Sequence, residues 1–174
     1  MYIRRFICTV LFLLVSSASL AKAPLVIALD ADLSAVAKTG GIAIERGTRL
    51  AIEEINAAGG VLGRTLELKT FDHRGNPARG IANIKKIAEL DNVVAVMGGV
   101  HTPVALQEIP LLHEHKLIYL DPWAAGTPVV DNGHQPNFVF RVSVRDSEAG
   151  KVLFNAAKKD GIEKVALLLG KNGW

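Results

Sequence analysis

The chain has 174 residues, with 20 Lys+Arg, 17 Asp+Glu and one Cys, for a formal net charge of +3. Hydrophobic residues at 49% and charged residues at 21% describe a globular chain and exclude general disorder. A single Cys excludes a disulfide framework and any Cys-cluster metal site.

The N-terminus carries Arg4 and Arg5, then an apolar run from Phe6 to Val15, then the small-residue stretch Ser16 to Ala23. That order is the order of a secretory signal peptide. About ten apolar residues fall short of the roughly 20 needed to cross a bilayer. Ser19 and Ala21 suit a peptidase site, so cleavage is expected after Ala21; a cut after Ala23 would place Pro24 beside it. Cys8 lacks the small residues before it that a lipoprotein signal needs. Removing residues 1–21 takes away Arg4, Arg5 and Cys8 and leaves 18 basic against 17 acidic groups, a net charge of +1. The excess charge is mostly a targeting effect, and a near-neutral exported chain is a poor nucleic-acid binder.

Leu25 to Leu29 has the length and apolarity of a strand. Ile42 to Ala58 shows helical spacing, with Ile44, Thr48, Ala51, Ile52 and Ile55 on one side and charged residues largely on the other. Gly59 and Gly60 end it, since glycine accepts the left-handed geometry of a helix C-cap. Leu66 to Thr70 alternates apolar and charged residues, a strand signal. Asn76 followed by Pro77 marks a helix start, with Ile81, Ile84, Ile87 and Ala88 facing inward. Val93 to Met97 is a buried strand ended by Gly98 and Gly99. Thr102 then Pro103 repeats the cap-plus-proline start of a helix running to about His115. Leu117 to Leu120 is the next strand, and a loop from Asp121 to Pro136 leads to Phe138–Val142. A helix from Asp146 or Ser147 to about Lys159, a break at Gly161 and a strand from Lys164 to Leu169 complete the chain.

Strands alternating with helices predict an α/β fold, a doubly wound, mostly parallel sheet flanked by helices. In such sheets ligands bind at the C-terminal ends of the strands. The candidate loops are therefore Asp30 to Gly41, Asp72 to Asn76, Gly98 to Thr102 and Asp121 to Thr127. Motifs for catalysis are missing from the sequence: no GxGxxG follows Leu25–Leu29, and there is neither a Walker-type loop nor a GxSxG elbow. His113 and His115, two apart on a helix, point in different directions and read as decoration of a solvated helix end. His73 beside Asp72 is a weak acid–base pair. No enzyme activity, cofactor or metal is expected.

The stretch Ala51-Ile52-Glu53-Glu54-Ile55-Asn56-Ala57-Ala58-Gly59-Gly60-Val61-Leu62-Gly63-Arg64 closely resembles the first helix and turn of the leucine/isoleucine/valine-type periplasmic solute-binding proteins of ABC importers. Asp72 with Asn76-Pro77, Val94 to Gly98, and Phe138-Val139-Phe140-Arg141-Val142 resemble that family's acidic segment, third strand and first interlobe crossover. The resemblance implies a type I periplasmic binding protein fold: two α/β lobes, three crossovers, and ligand held in a cleft that closes by hinge motion. A complete member is about twice this length. The expected division is a signal peptide at 1–21, a first ligand-binding lobe at 22–140, and a crossover with the start of an incomplete, truncated second lobe at 141–174.

The implied function is a periplasmic substrate-binding component that delivers a small solute, an amino acid or related small carboxylate, to a membrane permease. Full length, it is expected to be a monomer that docks transiently on that permease and binds no nucleic acid. An extracytoplasmic ligand-sensing domain of the same fold is the alternative. In the family, the loops after the third and fourth strands hold the ligand's carboxylate and ammonium. Here Thr102 stands where a family hydroxyl donates to the carboxylate, or else only caps its own helix. His101 replaces a small residue; protonated it pairs with an anion, neutral it lines the cleft mouth. Asp121 accepts from an ammonium or fixes the turn before Pro122. Trp123 replaces a small residue and offers a face for stacking, or packs under its loop. Ala124 follows it, and Ala125 stands where the family carries a contacting Thr. The family's aromatic in the first ligand loop is missing, with Gly40 and Gly41 in that region.

Overall fold

A computed structural model describes residues 22–168. Strand β1 (Leu25–Ala31) is the second strand of a five-stranded sheet, with β2 (Leu66–Asp72) beside it at the edge. On the other side stand β3 (Val93–Met97), β4 (Tyr119–Asp121) and β5 (Val139–Arg141). All four pairings are parallel, in the order β2-β1-β3-β4-β5. The chain leaves β1 for one edge and returns to the opposite side, so a crevice opens between β1 and β3 at their C-terminal ends. The expected signal peptide at residues 1–21 and Leu169 lie outside the described residues.

Four helices follow: α1 (Lys38–Ala57), α2 (Pro77–Ala88), α3 (Thr102–Glu114) and α4 (Asp146–Lys159). Helix α1 covers one sheet face, where Ile44 and Ile52 meet Leu25, Leu29, Leu66 and Leu68. Helices α2 and α3 cover the other, burying Ile84, Ile87 and Leu112 completely against Ala28, Val96 and Tyr119. Each such side chain contributes about 2 kcal/mol by leaving water. Asn76 caps α2 as its sequence predicts, its side chain accepting from the N–H groups of Ala78 and Arg79.

The motif that ends α1 is built for a tight return. Asn56 bonds both the N–H and the carbonyl of Leu66, tying the helix end to the start of β2. Leu62 and Gly63 both take positive φ, which closes a two-residue turn between Val61 and Arg64. Arg64 then reaches the carbonyls of Ala23 and Pro24 and the side chain of Asn92.

One expectation changes, and two apolar faces are left uncovered. The strand expected from Lys164 is not formed over the described residues, where 162–168 are irregular. A strand needs a neighbour to accept its hydrogen bonds, and no described strand pairs with this segment. Helix α4 buries none of its residues and leaves Val152, Leu153 and Phe154 exposed. The apolar side of α1 is only half used: Thr48, Ala51 and Ile55, with Ile27, Met97, Leu120 and Pro122, line an open recess of about 440 Å³.

Candidate functional site

The four loops named from the strand ends meet at one edge of the sheet, and side chains lock them pairwise. Asp32, just past β1, sets Oδ2 3.2 Å from Nε2 of His101, just before α3. Asp72 at the end of β2 accepts from the N–H of Leu33 at 2.9 Å and the hydroxyl of Ser34 at 2.5 Å. The Thr102 hydroxyl accepts from the N–H of Gly126 at 3.2 Å, joining α3 to the loop after β4. Two glycines allow close approaches. A Cβ on Gly40 would lie 2.7 Å from Cγ2 of Val100, and one on Gly75 would lie 3.1 Å from Nε2 of His101.

Asp32 is fully buried and also accepts from the N–H groups of Ala35 at 2.6 Å and Ala37 at 2.8 Å. Burial pushes its pKa upward, but the donors Ala37, Ala35 and His101 outweigh that and hold it below the ordinary value. His73 is buried beside this pair, its ring edge-on to His101 with centroids 5.7 Å apart. Its Nδ1 accepts from the N–H of Gly75 at 2.9 Å. Burial first, and then the neighbouring His101, lower its pKa to about 4, so the ring is neutral at neutral pH. His73 therefore supports the loop backbone, and Asp72 turns away from it toward Leu33, Ser34 and Arg74.

Beneath the site Asp121 joins a buried acid cluster in which the sequence analysis gave Asp30, Glu108 and Tyr119 no role. Asp30, Glu108, Tyr119 and Asp121 are at most 1% exposed. Asn83 donates to Asp30 Oδ1 at 2.8 Å, but Asp30 Oδ2 and both oxygens of Glu108 meet no ordinary donor. The two carboxyls interact with each other, and the Tyr119 side chain interacts with Glu108. Burial raises both pKa values, and for Asp30 the charge of Glu108 adds to it. A signal for Glu108 was present: Val104, Ala105, Glu108, Ile109 and Leu112 all fall on the buried face of α3.

The sequence-predicted site residues come together in space but differ in what they present. Trp123 is 51% exposed at the rim. His101 is nearly buried and held by Asp32. Thr102 is buried and is the first residue of α3, with His101 in the N-cap position, so its hydroxyl does not cap the helix. Asp121 is buried, and its Oδ1 accepts from the N–H groups of Trp123 and Ala124, which fixes the turn that follows it. Burial raises its pKa to about 6 against the pull of those donors and of Arg141. Ala124 packs into the main core, and the carbonyl of Ala125 accepts from the N–H of Asp146. His113 is not a solvated decoration: it bonds the carbonyl of Ile109 and stacks on His134 with ring centroids 3.8 Å apart. Among the described residues no group of three His, Cys, Asp or Glu is arranged to hold a metal.

The periplasmic binding protein family model matches residues 24–173. The chain is 30% identical over 156 residues to Leu/Ile/Val-binding protein homolog 3 of Brucella melitensis, covering 90% of this chain and 42% of that relative. It resembles a possible leucine/isoleucine/valine-binding protein from Rhodopirellula baltica with a TM-score of 0.73 at 24% identity, covering 83% of this chain and 38% of that one. It also resembles an ABC-transporter solute-binding protein from Rhodopseudomonas palustris, in complex with 3,4-dihydroxy benzoic acid. There the TM-score is 0.71 at 20% identity, covering 80% of this chain and 37% of that one. The chain thus spans about two fifths of the length of these relatives.

Proposed function

Because the chain belongs to the periplasmic binding protein family, we propose that it acts as the solute-binding component of an ABC-type importer and catalyses no reaction. The observation that carries this reading is the meeting of four strand-end loops, locked through Asp32–His101 and Thr102–Gly126, at the sheet edge where such folds take ligand. The ligand is a small carboxylate, amino acids included. Two relatives point the same way, one named for Leu/Ile/Val and one complexed with a benzoic acid, both ligands being small acids. In this reading residues 22–140 form the first lobe and residues 141–174 lead into the second. His101, Thr102, Asp121, Trp123, Ala124 and Ala125 form this lobe's share of the site. Trp123 faces the ligand, and the buried members hold the loop backbones in place. Residues 1–21 direct export to the periplasm and are removed after Ala21.

Thermal-shift screening against amino acids and small carboxylic acids tests the binding reading. A saturable stabilisation by one of them, without its chemical turnover, is the expected result. Turnover of a stabilising compound removes the non-enzyme claim. N-terminal sequencing of the exported product should begin at Lys22, and co-purification with a membrane permease separates import from sensing.

A further inference from the structure

The loop after β4 is fastened from two directions. On the lobe side the Thr102 hydroxyl accepts from the N–H of Gly126, and Ala124 sits in the core. The other fastening comes from the end of β5 and the turn that follows it. The successive carbonyls of Ala124, Ala125 and Gly126 all accept from residues 141–146. Arg141 Nη1 donates to that of Ala124 at 3.2 Å and to that of Gly126 at 2.8 Å. The N–H of Asp146 donates to Ala125 at 3.0 Å, and the N–H of Val142 donates to the carbonyl of Asp121 at 3.1 Å. Trp123, half exposed, stands between these anchors.

The bonds from Val142 and Asp146 come with the path of the backbone, whereas the Arg141 bonds depend on a side chain. A guanidinium holds its donors in a rigid plane and keeps its charge at ordinary pH. One nitrogen shared between two carbonyls fixes their separation, and charge-assisted bonds are about twice as strong as neutral ones. The buried Asp121 carboxyl at the head of the loop feels the same charge. A tilt of β5 or of the start of α4 therefore pulls on the loop at each of these carbonyls, against one hydrogen bond from Thr102.

From these contacts we infer that Arg141 is a positioning residue of the solute site. It ties the loop that presents Trp123 to the segment leading toward the second lobe, so this wall of the site changes shape when that segment moves. The inference rests on the solute-binding reading and deepens it by naming the link between crossover and site.

NMR on the nitrogen-15-labelled chain tests it, with Trp123→Phe identifying the Trp123 indole signal. Arg141→Ala should shift that signal and speed hydrogen exchange at the Ala124 and Gly126 amides about tenfold. Amides of β1 and β3 should keep their protection, which shows a folded chain. Guanidinium ion at sub-denaturing concentration should move the signal back, and sodium ion at the same concentration should not. Asp146→Pro removes the donor to Ala125 and puts proline in the first turn of α4, where it fits. It should move the same signal. Titrated with leucine and with benzoate, both variants should bind about fivefold more weakly than the parent, because binding must then order the loop.

An unmoved Trp123 signal with parent-like exchange in both variants overturns the inference alone and leaves the solute-binding reading standing. So does a signal that guanidinium leaves displaced, which assigns the effect to repacking. Parent-like binding of leucine and benzoate by variants whose loop has moved overturns it too, since the link then serves stability only. Silence of the parent toward both probes and throughout the thermal screen overturns the solute-binding reading as well.

Discussion

Asp32 and His101 are 69 positions apart in the chain, yet Oδ2 of the first lies 3.2 Å from Nε2 of the second. That contact bridges the crevice between β1 and β3, and the same carboxylate also holds the N–H groups of Ala35 and Ala37 ahead of α1. One buried side chain therefore sets two loops of the site. Asp32→Ala leaves three partly buried groups, the N–H groups of Ala35 and Ala37 and the His101 ring, without their partner, and its expected cost is about 2 kcal/mol in chemical denaturation. Because its pKa is depressed in the fold, Asp32's contribution is present above the unfolded value of 3.8 and is lost as pH falls below it. A variant as stable as the parent at neutral pH shows that the bridge is dispensable.

His73 sets the acid limit at higher pH. Its ring is neutral in the fold with a pKa of about 4, against 6.5 when unfolded. The unfolded chain binds the extra proton first, so stability is full above pH 6.5 and falls between 6.5 and 4, by roughly 3 kcal/mol. His73→Asn should flatten that limb of the pH–stability curve. An imidazole titrating near 6.5 by NMR in the folded chain contradicts the burial argument.

The Asp30–Glu108 pair works in the opposite sense. Both carboxyls have raised pKa values, so the folded chain keeps protons that the unfolded chain releases. Stability therefore declines as pH rises from about 3.8, where unfolded Asp30 begins to release its proton, and goes on declining past neutrality. Glu108→Gln removes one of these titrations and can donate its amide to Asp30. The expected outcome is a shallower alkaline decline in denaturation midpoints, and an unchanged slope rules the pair out as its source.

The Thr102–Gly126 contact predicts a paired result. Gly126→Ala drives its Cβ into the Thr102 methyl, and neither group is free to move because both are buried. A cost of about 2 kcal/mol is expected from such overpacking. Thr102→Ser in the same chain removes that methyl, keeps the acceptor for Gly126 N, and should recover much of the loss. Additive effects in this double-mutant cycle, read by thermal denaturation, mean that the two residues do not touch in solution.

Much of the fold was legible because its signals are local. Asn76-Pro77, the apolar spacing of α2 and the run Val93–Met97 each specify an element through neighbours a few residues away. The strand expected from Lys164 failed for the complementary reason: a strand is completed by a partner, and pattern alone supplies none. Thr102 was misread as a cap because a hydroxyl before proline looks the same in sequence whether it turns to its own helix or to Gly126. Glu108 was passed over although its spacing on α3 placed it among buried residues.

The sequence by itself determined the α/β alternation, the parallel sheet and the four loops at its edge, since periodicity, caps and glycine breaks act over one or two helical turns. The tertiary structure alone decided what those loops present. It withdrew Asp32, Asp72 and Asp121 into hydrogen bonds and left Trp123 in the open. The reason is physical: a carboxylate's availability depends on which donors reach it across tens of residues of chain. No window of sequence contains both partners.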